Sequence, residues 1–596
     1  MNKTILDSAE TEKDNHNFNE ALTILNKIEP DIEKKSDEYK EFIHLKAQSF
    51  YQNHDLPAHL RFNEAIKALE QLKPEKSDDR MHRFDDETHR LTGAIYKRKF
   101  HSEKDLSDLY KAISYYEIVS HDPKSDLGYG AVNTIFLYYT LLDHLNGSLS
   151  DEQEAAYREK IRTLATETID ALLEDYPTVE SRKSKTEWLE PTLAELFLGL
   201  HDFEGCNRYL QNSFEKSDDY EPINRKEFTT TEQLIRLYDL LPGDKSIELS
   251  ALFDGAFHGK KLHIESVIAS VRIGKVGLAL SGGGFRASLF HIGVLHRLAE
   301  LDILRHVQVI SSVSGGSIIA MHYYLKLKQL LEKNNNYELG KEDYKKLVSE
   351  LEKEFVDGIQ TNIRMRAIAK NDGNLTEILG SQYEEQLFAR SGEIPDSMQG
   401  LYIYPCIDSE KKTSFKPHFN NFELKNKVPI LIINATSLNN GHNWRFTASG
   451  MGEVPHMYDM TVDKNKIYEY SRYENFPTEF QKVSIGKAVS ASSAVPGLFD
   501  PIKMGDIYGN GDTIRLSDGG VYDNQGIAGL VSEECDIMIA SDASKQLNEQ
   551  NDPSDFRFDV ICKNRSYSDN KSEHVWTPYR NISGQYIGRH SDTLCG

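Results

Sequence analysis

VGLALSGGGFRASLFHIGVLHRLAEL (residues 276–301) runs from a short apolar segment into three consecutive glycines and out into an amphipathic stretch. Buried strand, tight turn and helix in that order are the unit from which α/β domains are assembled. Further apolar runs ending at glycine or serine follow: VQVISSVSGG, VPILIINATS and CDIMIASDAS. From Val271 onward the chain therefore predicts an α/β domain with a largely parallel sheet. Ligands of such sheets bind at the carboxyl ends of the strands.

Gly282, Gly283 and Gly284 permit backbone conformations closed to other residues, and their N–H groups can converge on an anion at a helix N-terminus. A phosphate-binding P-loop needs Gly-Lys-Ser/Thr after the turn, and GFRAS follows instead. A dinucleotide site needs an acidic residue at the end of a second strand. Asp302 is in range but precedes the next strand. The turn therefore reads first as an oxyanion hole, with a purely structural turn and a nucleotide site as the alternatives.

The next run, VISSVSGGSIIA (309–320), offers four serines. A nucleophile elbow needs small residues two before and two after the serine, because the strand-to-helix turn is crowded. Ser314 has Ser312 and Gly316 there. Ser311, Ser312 and Ser317 each have a β-branched residue at one of the two positions. Gly283 and Ser314 are 31 residues apart, about one βαβ unit, which predicts neighbouring parallel strands with both turns at one edge.

A serine hydroxyl needs a base. The best-placed acid is Asp518 in IRLSDGGVYDNQGI, at a strand end ahead of Gly519 and Gly520. Only His574 and His590 follow it, in a polar tail without a strand to position them. His291, on the helix after the glycine turn, reads as a packed residue able to support the site by hydrogen bonding. The stretch 434–450, NATSLNNGHNWRFTASG, reads equally as cleft lining or as loop.

Serine, glycine turn and aspartate without a placed histidine resemble the patatin-like phospholipases, whose members use a Ser–Asp dyad. Four segments carry the resemblance, in family order, over 271–545: LSGGGFRASLFHIGVL, SSVSGGS, AVSASSAVPGLFDPI and SDGGVYDN. The resemblance implies Ser314 as nucleophile and Asp518 as base. It implies Gly282, Gly283 and Gly284 as the oxyanion hole, with support from Arg286, Gly315, Gly316, Gly519 and Gly520. It calls for no metal and no cofactor. AVSASSAVPGLFDPI contains no evident catalytic group.

The first 250 residues have a different texture. Apolar residues recur at helical spacing, and a degenerate repeat places Ala21 nine residues before Pro30 and Ala65 nine before Pro74. Looser copies are YKAISYYEIVSHDP, which ends at Pro123, and TIDALLEDYP, which ends at Pro177. The small residue allows close helix approach, and the proline stops the second helix of each pair. With GAIY at Gly93–Tyr96, this resembles a tetratricopeptide-type solenoid. The anchors are 44 and 47 residues apart, against roughly 34 in that repeat.

The expected organisation is multidomain. An all-α helical-repeat solenoid (1–250) leads through a connector (251–270) to an α/β, patatin-like three-layer domain (271–545), then a C-terminal extension (546–596). Residues 322–425 read either as packed helices or as a lid over the acyl site.

The net charge of −23 over 596 residues argues against nucleic acid as a partner. Five scattered cysteines, with no CxxC, fit a reducing cytoplasm. The start lacks the apolar core of a signal peptide, and membrane contact is expected to be peripheral. The expected function is hydrolysis of phospholipids or related acyl lipids, under a protein partner or activating signal received by the helical region. The alternatives are a helical scaffold with a degenerate hydrolase domain, and a non-lipid esterase with a Ser-Asp-His triad.

Overall fold

The structure is a computed structural model. It describes residues 2–28, 36–54, 56, 58–72, 85–214, 225–243, 248–257, 264–363, 366–367, 373–392, 394–407, 410–411, 415–454 and 465–544. The chain divides into two compact units, Met1–Arg272 and Ile273–Gly596.

The first unit is helical: α1 Asn2–Asp14, α2 Phe18–Ile28, α3 Asp37–Tyr51, α4 Ala58–Glu70, α5 Asp86–Glu103, α6 Leu106–Val119, α7 Pro123–Asp126, α8 Tyr129–His144, α9 Asp151–Asp175, α10 Val179–Lys185, α11 Leu189–Gly199, α12 Phe203–Ser213, α13 Arg225–Leu240 and α14 Ile264–Ile273. Polar side chains start several of them. Ser36 Oγ accepts from Tyr39 N, Asp85 from Thr88 N, and Ser150 forms a capping box with Gln153. Consecutive helices pack as pairs α1/α2, α3/α4 and α5/α6.

The repeat anchors fall on the second helix of each pair, and Ala21, Ala65 and Ala112 are fully buried. GAIY lies on α5, where a Cβ on Gly93 would stand 3.0 Å from the Tyr116 ring of α6. The two helices meet closely there. Pro177 follows the end of α9, and Pro123 opens α7 with Asp122 as its cap. Pro30 and Pro74 lie outside the described residues. The fourth copy departs from the pattern: Ala171 is only half-buried, and α9 packs through Ile161, Ala165, Ile169 and Leu172.

Of the stretch 251–270 expected to connect the domains, the described residues are packed, and 258–263 lie outside them. Leu252, Phe253, Ala256, Val267 and Ile268 are buried in the same core as α8, α11 and α12. Its mixed polarity reflects half-buried faces, and the change of unit comes at Arg272/Ile273.

The second unit is built on a nine-stranded sheet: β1 Val276–Leu280, β2 Val307–Val313, β5 Ile430–Ser437, β6 Asn443–Phe446, β7 Gly450–Glu453, β8 Ser471–Arg472, β9 Ile502–Met504, β10 Ile514–Asp518 and β11 Ile537–Ser541. A separate two-stranded ribbon joins β3 Cys406–Ile407 to β4 Glu410–Lys411. The spatial order is β11-β1-β2-β5-β6-β7-β8, with β10 on β5 and β9 on β10.

The four apolar runs are the four parallel strands, side by side as β11, β1, β2 and β5. The other five strands pair antiparallel, so the sheet is mixed and not largely parallel. Those strands are short or carry alternating burial, as in β10, where Arg515 is exposed between buried Ile514 and Leu516.

Alternation along the parallel strands makes three layers. Leu278, Leu280, Ile310, Leu431 and Ile433 face a large core that also contains side chains of α15 (Gly284–Glu300), α16 (Gly315–Lys333) and α17 (Lys341–Ile359). Ala279, Val309 and Ile432 face the opposite way, onto Leu530 of the helix Ile527–Ser532 and onto Cys535. Described residues along the segment 322–425 pack into that large core. Tyr344, Leu347, Val348, Leu351 and Phe355 of α17 are buried at helical spacing, as are Leu379 and Tyr383. Residues 364–365, 368–372, 393, 408–409 and 412–414 within it lie outside the described residues. No helix among the described residues is long and apolar enough to cross a membrane.

Candidate active site

Strand β2 ends at Val313 and α16 begins at Gly315, so Ser314 is the whole turn. Its backbone takes φ 51°, ψ −117°, a region that residues with a Cβ rarely enter. The strain is held by close packing. A Cβ on Gly315 would lie 2.0 Å from Gly284 O, and one on Gly316 would lie 2.2 Å from Leu280 O. Both positions after the serine therefore require glycine. Ser312 fits two positions before it because its buried hydroxyl donates to Ile432 O at 3.1 Å.

Ser314 Oγ donates to Asp518 Oδ2 at 2.8 Å. Both side chains are buried, Ser314 at 2% exposure and Asp518 at 0%. Asp518 ends β10, which lies antiparallel to β5, and β5 is the neighbour of β2. The aspartate is thus delivered one strand away from the elbow. Its Oδ1 accepts Gly520 N–H at 2.8 Å, its N–H donates to Ala494 O at 2.9 Å, and its carbonyl accepts from Thr436 Oγ1 at 2.9 Å. Gly519 has no room for a side chain, since a Cβ there would lie 2.4 Å from Asn434 O.

The glycine turn leaves β1 beside the elbow, as the spacing predicts: Leu280 is in register with Ser312. Gly283 and Gly284 have φ of 141° and 67°, which favours glycine. Gly284 N lies 2.8 Å from where a Gly315 Cβ would stand. The N-terminus of α15 therefore abuts the elbow. Gly282 differs from the expectation of three equivalent donors. Its N–H is committed to Asn524 O at 2.9 Å, which leaves Gly283 and Gly284 as the turn's donors. Arg286 is exposed, and its guanidinium donates to Ala543 O beyond β11 at 3.0 Å, tying α15 to the sheet edge, with one guanidinium nitrogen 3.7 Å from where a Gly283 Cβ would stand.

Three groups were not singled out from the sequence. Ser492 closes the helix Ile485–Ser492, and its Oγ accepts Ser314 N–H at 2.9 Å. Ala494 O accepts both Asp518 N–H and Ser517 Oγ–H at 2.9 Å. AVSASSAVPGLFDPI thus holds the backbones of both dyad residues without contributing a reacting group. Asn524, the last residue of SDGGVYDN, joins the aspartate turn to the glycine turn.

The stretch 434–450 is the end of β5 and the whole of β6, buried, joined by a turn at 438–441 in which Leu438 is exposed. Asn434 Nδ2 donates to Ser311 Oγ and Ser312 O, each at 3.0 Å, bracing β2.

His291 is fully buried. Its Nε2 lies 2.9 Å from Ser281 O and its Nδ1 2.7 Å from Ser541 Oγ. A carbonyl only accepts, so Nε2 carries the proton and Nδ1 accepts from Ser541. Burial holds its pKa below the ordinary value. It braces the start of the glycine turn as a neutral ring. Asp302 pairs with Arg305 in the turn before β2. His574 and His590 lie outside the described residues.

Residues 278–531 match the family model described as patatin-like phospholipase, and residues 17–138 match that of the tetratricopeptide repeats-sensor. Among solved structures, the chain is similar to human GIVD cytosolic phospholipase A2, at 15% identity over 39% of this chain and 29% of that one, with a TM-score of 0.22. The same enzyme in complex with methyl gamma-linolenyl fluorophosphonate gives 16% identity, 39% and 32% coverage, and a TM-score of 0.21. The chain thus spans under a third of the length of either. No curated protein sequence matches it. Residues 278–531, which hold Ser314, Asp518 and the glycine turn, are a patatin-like phospholipase domain, and residues 17–138 are tetratricopeptide-type sensor repeats.

Proposed function

We propose that the chain hydrolyses carboxylic ester bonds of phospholipids or related acyl lipids through a Ser314–Asp518 dyad. The observation that carries this reading is the 2.8 Å hydrogen bond from Ser314 Oγ to Asp518 Oδ2, in a buried site beside the glycine turn. Asp518 takes the Ser314 proton as Oγ attacks the ester carbonyl. Gly283 and Gly284 N–H groups stabilise the oxyanion that forms. Asp518 returns the proton to the leaving alcohol, and water then releases the acyl group by the same path. The sensor repeats point to control of this activity by a protein partner or signal acting on the helical unit.

The test is lipid hydrolysis on phospholipid vesicles together with fluorophosphonate labelling. The wild type should release fatty acid and label at Ser314, and a folded Ser314→Ala should do neither. A Ser314→Ala protein with wild-type turnover would end the assignment.

A further inference from the structure

Four buried serines form a chain of hydrogen bonds whose direction follows from counting protons. Ser312 Oγ donates to Ile432 O at 3.1 Å, which uses its one proton. Ser317 Oγ, 3.2 Å away, must donate to Ser312 and so uses its own. In the 2.8 Å contact between Ser492 Oγ and Ser317 Oγ, Ser492 is therefore the donor. Its lone pair accepts Ser314 N–H at 2.9 Å. The chain runs one way, from Ser314 N–H through Ser492, Ser317 and Ser312 to the carbonyl of Ile432 on the central strand β5. Such chains polarise each member and strengthen the first acceptor. Ser312, Ser317 and Ser492 are all fully buried, so no water competes.

We propose that Ser492 is a positioning residue for the nucleophile. This rests on the hydrolase reading above. Ser314 sits in a strained conformation, and its N–H donates to the Ser492 hydroxyl. Unless that N–H is held, the turn can relax and swing Oγ off Asp518. Ser492 holds it, and the serines behind Ser492 tie it to β5. Two residues on, Ala494 O holds Asp518 N–H at 2.9 Å. One short stretch therefore sets the distance between the two reacting side chains by holding their backbone N–H groups.

The experiment compares Ser492→Ala, Ser492→Cys, Ser492→Thr and Ser317→Ala in the full chain. The readouts are kcat and KM on phospholipid vesicles, the rate of fluorophosphonate labelling at Ser314, and thermal unfolding. Ser492→Ala should lower kcat about 10- to 100-fold with KM within about twofold, because misplacement affects the reacting geometry and not lipid binding. Labelling should slow in parallel. Ser492→Thr keeps a hydroxyl and should recover most of the loss. Ser317→Ala should have a smaller effect, since it removes only the acceptor behind Ser492.

Should Ser492→Ala fail to fold, Ser492→Cys keeps the packing with a poorer acceptor and decides the matter. Wild-type kcat in either folded variant overturns the proposal, as does a loss confined to KM or to stability. A wild type that neither labels at Ser314 nor hydrolyses lipid overturns the hydrolase reading instead, which separates the two failures.

Discussion

Ser314 Oγ donates to Asp518 Oδ2 across 2.8 Å although 204 positions separate them in the chain. Asp518 Oδ1 is occupied by Gly520 N–H, so Oδ2 is the oxygen turned to the nucleophile. Asn at this position keeps the shape but cannot take a proton. Asp518→Asn should reduce kcat by about 10²–10⁴-fold, the range of general-base catalysis, with the fold intact. Steady-state kinetics on vesicles checks this. A value within tenfold of wild type would remove Asp518 from the role of base.

Gly315 and Gly293 make opposite predictions for the same substitution. At Gly315 an added methyl meets Gly284 O at 2.0 Å, backbone against backbone, so the elbow and the glycine turn must separate. Gly315→Ala should lower activity by about 10²-fold or more and also lower the unfolding midpoint. Gly293 is exposed within α15 with nothing near its missing Cβ. Gly293→Ala should raise stability by roughly 0.5–1 kcal/mol and leave kcat unchanged. Thermal unfolding and turnover of both variants read this directly.

What could be read in advance follows from where each signal resides. The four parallel strands announce themselves as apolar runs closed by glycine or serine; β1, β2 and β5 are buried on both faces and need little else, while β11 keeps the pattern at the sheet edge, where it is only partly buried. Ser314 was separable from its neighbours by steric demand at two adjacent positions, a local property. The antiparallel strands were not legible. β7 is GMGE and β8 has two residues, so their identity comes from pairing and not from composition. Ser492 lies in a motif whose residues reveal no role for it, because the N–H it accepts comes from 178 positions earlier. The commitment of Gly282 N–H to Asn524 was hidden for the same reason. Leu252–Phe253 read as connector because their burial depends on helices far along the chain.

His291 tests whether a buried histidine beside the site is base or brace. Both ring nitrogens are used, on Ser281 O and Ser541 Oγ, and neither bond is to the dyad. Its pKa is lowered by burial, so the unfolded state binds its proton more readily than the fold does. Its contribution to stability is complete above its ordinary 6.5 and diminishes as pH falls below it. His291→Ala should cost about 2–4 kcal/mol in chemical denaturation at pH 7.5. It should lower kcat less than tenfold. A loss of activity as deep as that of Ser314→Ala would instead make the ring part of the catalytic machinery.

Glu533 predicts the acid limb of stability in the second unit. Its carboxylate lies 3.0 Å from Lys275 Nζ, and the same ammonium donates to Glu533 O at 2.7 Å, which fixes the entry to β1. Burial alone would raise the Glu533 pKa, but attraction from Lys275, His418 and Arg445 outweighs it and holds the value at about 2. Because this lies below the ordinary 4.5, the folded state releases the proton more readily than the unfolded chain. The stabilisation is therefore complete above pH 4.5 and is lost as pH falls through about 2. Glu533→Gln should lower stability at pH 7 by about 1–3 kcal/mol, and its deficit against wild type should shrink as pH drops from 4.5 toward 2. Denaturation curves of both proteins across that range decide it. A deficit that stays constant down to pH 2 would show that Glu533 acts by packing and not by charge.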